Sequence, residues 1–289
     1  MSNSPLIQPQ SLLAIQKAAG GNVLVLDCSF DLADPAAGRR AFEAGHIPGA
    51  RYVHLEDDLS APRTGRNGRH PLPDAQAFAQ CMARLGACND THIVAYDNAG
   101  SMYAARLWWM LGWAGHAARQ VLDGGLAAWK AAGLPTEAGD PAQAAGGSFS
   151  LRAPLAATVD YAYVRANLES SERLVIDARN ADRYAGRNET MDAKAGHIPG
   201  ARNHFFMNNL DDKGHFKSPE ALREAFSALL GERKPGEVVH QCGSGVTACH
   251  NLLAMEIAGL GGAALYPGSW SEWSQQPDAP VATGQETAS

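Results

Sequence analysis

One seven-residue string occurs twice in this sequence and constrains the fold more than any other feature. Gly-His-Ile-Pro-Gly-Ala-Arg occupies residues 45–51 and recurs at residues 196–202, 151 positions further along the chain. An identical string at that separation indicates duplication of a whole structural unit. We therefore predict two copies of one domain, at residues 1–138 and 155–289, joined by a linker rich in Pro, Gly and Ala at residues 139–154.

Each half of the sequence alternates short apolar runs with stretches that favour helix. The apolar runs lie at 23–28, 92–97, 174–179 and 237–242, and the helix-like stretches include 75–85, 104–112, 219–230 and 248–258. This alternation predicts an α/β fold of two tandem domains, each a mainly parallel sheet flanked by helices on both faces. In such sheets, ligands bind at the carboxyl ends of the strands.

Composition and charge exclude several functional classes. The formal net charge of −6 argues against a nucleic-acid surface, and we expect the basic loop with Arg63, Arg66 and Arg69 to be solvated. The most apolar run, at residues 107–113, is too short to cross a bilayer, and the first residues lack the pattern of a secretory signal. We expect a soluble cytoplasmic protein with no nucleic-acid or membrane partner.

The five cysteines favour neither disulfides nor a metal site. They form no Cys-x-x-Cys pair and show no metal-ligand spacing with the ten histidines. Free thiols are therefore expected, and four of them are interpreted as small apolar side chains: Cys28, Cys81, Cys88 and Cys249. The fifth, Cys242, lies between an apparent strand and an apparent helix, where a ligand would bind.

The loop after Cys242 has the composition of an anion cradle. Gly243 and Gly245 can adopt backbone conformations that other residues avoid, so successive N–H groups can turn toward the sulfur. A free thiol is only slightly ionised at neutral pH, so a nucleophilic cysteine needs its anion stabilised. A helix N-terminus contributes ~0.3–1 kcal/mol, whereas each charge-assisted hydrogen bond contributes about 1.5–3 kcal/mol. The cradle should therefore dominate, and we interpret Cys242 as a nucleophile.

The duplication and the string Cys-Gly-Ser-Gly-Val-Thr at residues 242–247 resemble the two-domain rhodanese-type sulfurtransferases, and the loop is similar to the 3-mercaptopyruvate form. The resemblance covers essentially the whole chain, including an amino-terminal copy in which Asp97 stands at the cysteine position. It implies that Cys242 takes a sulfur atom from 3-mercaptopyruvate, a small anionic donor, and releases pyruvate. The acceptor would be cyanide or a thiol, either a thioredoxin-type protein or a small molecule, and no cofactor would be needed.

The resemblance also implies roles for individual residues in proton transfer and in the substrate loop. In the 3-mercaptopyruvate form, a serine, a histidine and an acid relay a proton, and the matching positions here are Ser244, His70 and Glu56. Substrate would also bind along the loop itself, at Gly243, Gly245, Val246 and Thr247. Because His70 and Glu56 come from the amino-terminal copy, the resemblance implies a site where the two domains meet.

Arginines of the family bind the carboxylate of the donor. Arg183 matches the first of these arginines, but Asp192 occupies the position of the second. Arg187 and Lys194 are the candidates to replace it, unless the donor preference differs. Arg179 is expected to pair with a neighbouring carboxylate. A cationic pocket remains the expectation, because a guanidinium matches a planar carboxylate with two parallel hydrogen bonds.

Other functions remain open at this point. Thiosulfate sulfurtransferases of the same fold usually carry charged residues directly after the cysteine, unlike Gly243 and Ser244, but the missing second arginine keeps that function as the alternative. A phosphatase with a related fold would need an arginine six residues after the cysteine, where this chain has Ala248. A non-catalytic sulfur- or anion-binding module is the remote alternative, although it would be expected to lack the cysteine in both copies.

Overall fold

A computed structural model describes residues 4–18, 22–140 and 146–284 of the chain. Within these ranges the chain divides into two compact units. Of the described residues, the first unit comprises those within 4–60, 73–155 and 212–216, and the second comprises those within 61–72, 156–211 and 217–284. The segment at 61–72 therefore groups with the carboxy-terminal half of the sequence. The predicted boundaries at 138 and 155 stay a prediction, and residues 141–145 of the linker lie outside the described residues.

Among the residues that the structure describes, the first unit contains five strands and five helices. The strands are β1 (Leu6–Ile7), β2 (Val23–Asp27), β3 (Arg51–Tyr52), β4 (His92–Tyr96) and β5 (Arg119–Leu122). The helices are α1 (Pro9–Lys17), α2 (Ala37–Ala44), α3 (Ala75–Arg84), α4 (Ala104–Trp113) and α5 (Gly125–Ala131). The strands lie in the order β1-β5-β4-β2-β3, and every neighbouring pair is parallel.

The second unit repeats this arrangement. Its described strands are β6 (Ala157–Thr158), β7 (Leu174–Asp177), β8 (Arg202–Asn203), β9 (Val238–Gln241) and β10 (Ala264–Leu265). Its α-helices are α6 (Tyr161–Ser170), α7 (Ala181–Tyr184), α8 (Pro219–Leu230), α9 (Thr247–Ile257) and α10 (Ser269–Trp273), with 3-10 turns at Phe206–Asn209 and Pro235–Glu237. The parallel order β6-β10-β9-β7-β8 is the order of the first sheet, which confirms the duplicated α/β fold.

The helices begin where the sequence supplies capping groups. The Asp74 side chain accepts from two backbone N–H groups at the start of α3, and Ser218 accepts from the Ala221 N–H at the start of α8. Helix α8 then ends at Gly231, which has a φ of 61°. These helices match the predicted ones to within one residue at each end. Over the described ranges, no helix combines the length and the apolar character needed to cross a membrane.

The repeated heptapeptide forms the same structural element in both units. His46 stacks on Phe42 and His197 stacks on Tyr184, each with ring centroids 3.8 Å apart. Nδ1 of each histidine lies within hydrogen-bond distance of the carbonyl group of the residue on which its ring stacks, at 2.7 and 2.8 Å. Both histidines are almost fully buried. The string therefore has the same structural role in the copy with the cysteine and in the copy without it.

The core of the second unit surrounds the strand that leads to Cys242. All four residues of β9 are buried, and Val239 belongs to an apolar cluster with the fully buried rings of Tyr266, Trp270 and Trp273. Burial of about 150–250 Å² for each aromatic side chain makes such a cluster a large stabilising contribution. The strand end that carries Cys242 is therefore held in a rigid setting.

Candidate active site

Cys242 directly follows β9, and its loop leads into α9. The side chain is 1% exposed. The Gly245 N–H donates a hydrogen bond to Cys242 Sγ, with 3.1 Å between nitrogen and sulfur. Val246 is buried beside it, and Thr247 is the first residue of α9. The loop therefore directs at least one backbone donor at the sulfur, in the manner predicted for an anion cradle.

Contacts with the segment around α10 hold the backbone of this loop. The Cys242 N–H donates to the Ser269 hydroxyl at 3.1 Å, and the Trp270 N–H donates to the Cys242 carbonyl at 3.0 Å. The Ser271 N–H donates to the Gly243 carbonyl at 2.8 Å. Ser269 has a φ of 53°, a conformation that costs a non-glycine residue about 1–3 kcal/mol. This strain is retained at the position that fixes the backbone of the cysteine.

Gly245 cannot be replaced without disturbing the loop. Its φ is 77°, and a Cβ at this residue would lie 2.4 Å from the carbonyl oxygen of Pro267. Glycine is therefore required twice, for its backbone conformation and for its lack of a side chain. The direction of the Gly245 N–H toward the sulfur depends on both.

The corresponding loop of the first unit shows how this backbone binds an anion. Asp97 follows β4 as Cys242 follows β9, and its carboxylate is buried. The two carboxylate oxygens accept hydrogen bonds of 2.8 to 2.9 Å from four backbone N–H groups, those of Ala99, Ser101, Tyr103 and Ala104. Burial raises the pKa of Asp97, and the four N–H groups oppose that shift. A strand-to-helix loop of this fold therefore brings several backbone donors to one carboxyl group.

His70 and Ser244 lie in contact within the second unit. Nδ1 of His70 is 2.8 Å from Ser244 Oγ, and the two residues are 3% and 8% exposed. A loop histidine next to a proline is ordinarily solvated, whereas His70 is buried. An imidazole and a hydroxyl in hydrogen-bond contact can pass a proton beside the cysteine loop. The structure thus brings together two of the three residues that the resemblance assigned to proton transfer.

Two arginine side chains lie over Gly243, the residue that follows the cysteine. Nη2 of Arg69 and Nη1 of Arg183 are 3.2 and 3.5 Å from the point where a Cβ on residue 243 would lie. Neither nitrogen donates a hydrogen bond to a residue within the described ranges. Asp192 bridges the two groups, since one oxygen accepts from Arg69 at 2.9 Å and the other accepts from Arg183 at 2.8 Å. The two open nitrogens form a candidate anion-binding position over Gly243.

A buried ion-pair network extends from Arg183. Glu189 accepts from Arg183 at 3.0 Å and from Arg179 at 3.4 Å, and Arg179 also pairs with Asp177 at 2.7 Å, which confirms its predicted carboxylate partner. Burial alone would raise the pKa of Glu189, but hydrogen bonds from the Met191 N–H and from Arg183 outweigh this effect and lower it. An ionised Glu189 holds the Arg183 guanidinium in place.

Arg187 and Lys194 make no described contact with the candidate anion-binding position over Gly243. The Arg187 guanidinium pairs with Asp182 at 2.7 Å and is 59% exposed. The Lys194 ammonium donates to two main-chain carbonyl groups. Neither side chain makes a described contact with Arg183 or Gly243. Glu56 is half-buried in a turn of the first unit, and its part in proton transfer stays a prediction.

Arg69 is a residue of the candidate site that the sequence does not predict. The expectation of a solvated basic loop is wrong for this residue, because its side chain is only 14% exposed and pairs with Asp192. Arg63 and Arg66 are exposed, as expected. The available signal was the position of Arg69 directly before His70. That signal carries no information about Asp192, which is 123 residues away in sequence.

The remaining cysteines have different surroundings. Burial raises the pKa of Cys28, and burial together with Asp58 raises the pKa of Cys81 to about 12, so both thiols stay protonated and unreactive. Cys249 is fully buried in α9 and donates to the Gly245 carbonyl. Within the ranges that the structure describes, no group of three or more His, Cys, Asp or Glu residues is arranged to hold a metal ion.

The sequence has matches over nearly its whole length among known proteins. The family described as Rhodanese-like domain matches the chain twice, at residues 9–132 and 160–276. A protein of Pseudomonas aeruginosa named as a probable 3-mercaptopyruvate sulfurtransferase is 46% identical over 286 residues, which cover 98% of this chain and 100% of that protein. The thiosulfate sulfurtransferase of Gallus gallus is 36% identical over 259 residues, which cover 88% and 87% of the two chains.

A solved structure extends the likeness to three dimensions. The 3-mercaptopyruvate sulfurtransferase from Leishmania major superposes with a TM-score of 0.82 at 30% identity, and the match covers 96% of this chain and 75% of that one. Both rhodanese-like copies are therefore present over nearly the full length of this chain. Some of these similar proteins are named for 3-mercaptopyruvate as the sulfur donor, and others are named for thiosulfate.

Proposed function

The chain belongs to the rhodanese family and is a sulfurtransferase, and we propose that its sulfur donor is 3-mercaptopyruvate. In this proposal, Cys242 carries the sulfur as a persulfide and passes it to a thiol or to cyanide. The groups that surround Cys242 and the two residues after it are the observation that carries the proposal. A backbone N–H donates to Cys242 Sγ, the side chains of Arg69 and Arg183 lie over Gly243, and Ser244 contacts His70.

In the first half of the cycle, the Cys242 thiolate attacks the sulfur atom of the donor. An S–S bond forms, and the C–S bond of 3-mercaptopyruvate breaks with its electron pair passing to carbon. The resulting enolate takes up one proton at that carbon and leaves as pyruvate. The proton given up by the Cys242 thiol balances the one gained by pyruvate, and the donor's own thiol hydrogen remains on the outer sulfur until that sulfur ionises.

The loop suits the persulfide anion as well as the thiolate. The outer sulfur of a persulfide on Cys242 is two bonds from Cβ, as the carboxylate oxygens of Asp97 are in the first unit. Because four backbone N–H groups meet the Asp97 carboxylate, the same type of loop is expected to stabilise the outer sulfur. Each such donor contributes about 1.5–3 kcal/mol toward a charged acceptor.

The proton that pyruvate needs comes from the pair of Ser244 and His70 in this proposal. Their contact of 2.8 Å and their burial keep the pair away from bulk water, so that a proton can be delivered to the enolate instead of being exchanged freely. The unpaired Nη1 of Arg183 is available for the carboxylate of the donor.

In the second half of the cycle, a thiolate or cyanide attacks the outer sulfur of the persulfide. The S–S bond breaks, the sulfur leaves with the acceptor, and the electron pair returns to Cys242 as a thiolate. A sulfurtransferase implies such an acceptor in general. We assign the thiol to a small molecule or to a protein of thioredoxin type, because the reaction requires only an exposed nucleophilic sulfur.

Thiosulfate is the second candidate donor, and one specific observation favours it. The thiosulfate sulfurtransferase of Gallus gallus is 36% identical to this chain over 88% of its length. The uncharged Gly243 and Ser244 favour 3-mercaptopyruvate over thiosulfate.

Incubation of the protein with each donor separately tests this proposal. We expect 3-mercaptopyruvate to add one sulfur atom to Cys242, detected by mass spectrometry of the intact chain and of the peptide that contains residue 242. Efficient loading by thiosulfate, with none by 3-mercaptopyruvate, would replace the donor assignment. If neither donor adds sulfur to Cys242, the proposed enzyme mechanism is refuted.

Replacement of Ser244 by alanine is expected to slow turnover of 3-mercaptopyruvate more than turnover of thiosulfate. The reason is that the pyruvate enolate must be protonated, whereas sulfite leaves thiosulfate as a stable anion. A loss of ~10²-fold in kcat/KM is expected with 3-mercaptopyruvate, at the lower end of general acid–base effects. Steady-state kinetics with both donors measures this difference, and Ser227→Ala on the exposed side of α8 is the matched control. Equal losses with the two donors would remove Ser244 from proton transfer.

A further inference from the structure

The anion-binding position over Gly243 has open hydrogen-bond donors but no excess of positive charge. The network around it contains three guanidinium groups and three carboxylates, and none of these six side chains is more than 17% exposed. The cations are Arg69, Arg179 and Arg183, and the anions are Asp177, Glu189 and Asp192. The charges therefore balance inside a region that is shielded from water.

Asp192 determines how the two outer arginines are presented. Its side chain is 2% exposed, and each of its oxygens accepts from one guanidinium, so neither arginine can turn without breaking an ion pair. Nε of Arg69 is buried and has no hydrogen-bond partner among the described residues. The Arg69 guanidinium thus keeps this orientation at the expense of one hydrogen bond. Its open Nη2 and the open Nη1 of Arg183 both lie over Gly243.

We propose that Arg69 and Asp192 together select the sulfur donor. Arg69 supplies the second guanidinium for the carboxylate of the donor, and Asp192 cancels its charge, so that a monoanion is favoured over a dianion. The inference rests on the proposed function, since both residues act at the donor position beside Cys242. Arg69 therefore takes the role of the arginine that the chain lacks at position 192.

The chemistry of the two donors explains this selection. A carboxylate has two oxygens in one plane, and one open nitrogen of each arginine can donate to each oxygen. 3-Mercaptopyruvate carries one negative charge on its carboxylate, whereas thiosulfate carries two. In a shielded position, the second charge of thiosulfate finds no unpaired cation and meets the carboxylate of Asp192 nearby.

Replacing Asp192 by asparagine tests whether the negative charge of Asp192 disfavours thiosulfate. The side chain keeps its shape but loses its negative charge, so the network gains one positive charge. We expect the ratio of kcat/KM for thiosulfate to kcat/KM for 3-mercaptopyruvate to rise by about tenfold or more, because the second charge of thiosulfate gains a partner. The rise should shrink at high salt, since the added interaction is electrostatic.

Replacing Arg69 by glutamine tests whether its guanidinium binds the donor. This variant loses one guanidinium and one positive charge, so KM should rise for both donors and should rise more for the dianion. The donor ratio therefore moves in the direction opposite to that of Asp192→Asn. A purely structural role would lower kcat for the two donors alike and would leave the ratio unchanged in both variants.

Asp182→Asn is the matched control, because it makes the same charge change at an exposed ion pair with Arg187. Its donor ratio should equal that of the wild-type protein. Opposite shifts in Asp192→Asn and Arg69→Gln, with no shift in Asp182→Asn, support the inference. Normal persulfide loading of the wild type with unchanged ratios in both variants overturns this inference alone. Failure of both donors to load the wild type overturns the proposed function and this inference with it.

Discussion

Serine in place of Cys242 is expected to abolish sulfur transfer. A serine hydroxyl cannot form a persulfide, and its far weaker acidity leaves almost no anion at neutral pH. Removal of a catalytic nucleophile lowers kcat by about 10⁴-fold or more. The variant should show no added sulfur by mass spectrometry with either donor and no release of pyruvate from 3-mercaptopyruvate.

Cys88→Ser is the appropriate control for this experiment. Cys88 is the partly exposed cysteine of the five, so it is the thiol most open to nonspecific reaction with the donor. Full loading of Cys88→Ser together with no loading of Cys242→Ser would locate the persulfide at Cys242. Persistence of the added sulfur in Cys242→Ser would show that another thiol carries it.

Alanine in place of Gly245 is expected to disable the site while leaving Cys242 in the chain. The new Cβ would lie 2.4 Å from the Pro267 carbonyl oxygen, and the left-handed backbone conformation costs a non-glycine residue a further ~1–2 kcal/mol. The loop must move, and with it the N–H group that contacts the sulfur. A shift of about 1 Å at a reacting group can lower the rate by ~10²-fold. We expect a loss of at least this size in the rate of persulfide formation.

Gly231→Ala separates the effect of backbone strain at a positive φ from the effect of a steric clash such as the one at Gly245. Gly231 also has a positive φ, at 61°, but a Cβ there would meet no atom within 4 Å. This variant should lose about 1–3 kcal/mol in the free energy of unfolding, because residues with a side chain rarely adopt its φ of 61° with a ψ of −123°, and it should keep the wild-type rate of loading. Denaturant unfolding and the loading rate, measured for both variants, make the comparison. Equal loading rates in Gly245→Ala and the wild type would show that the Gly245 N–H has no role.

Local patterns were sufficient to predict much of the fold. The heptapeptide repeat predicts two copies, and the two sheets have the same strand order. Helices such as α3 and α8 could be bounded closely because Asp74, Ser218 and Gly231 are cap residues whose effect is confined to one turn. Hydrophobic runs and capping groups act between neighbours in sequence, so they can be read without knowledge of the tertiary structure.

The candidate site could be predicted only in part. Cys242 could be singled out from the sequence because its strand, its glycines and its helix are contiguous in the chain. His70 came from resemblance to a family, since 174 residues separate it from Ser244. Arg187 and Lys194, the candidates to replace the second arginine, are close to Asp192 in sequence, but their described contacts lie elsewhere. Distance along the chain says little about which charged side chains meet.

The sequence by itself determined the duplication and the α/β architecture, and it predicts Cys242 as the nucleophile, because each of these depends on residues that are adjacent or repeated. Tertiary structure alone decided the environment of Cys242. It grouped the segment at 61–72 with the second unit, brought Arg69 over Gly243, and gave Asp192 two arginine partners. Ion pairs are decided by which charges share a buried space. That space exists only after the sheet and helices have packed.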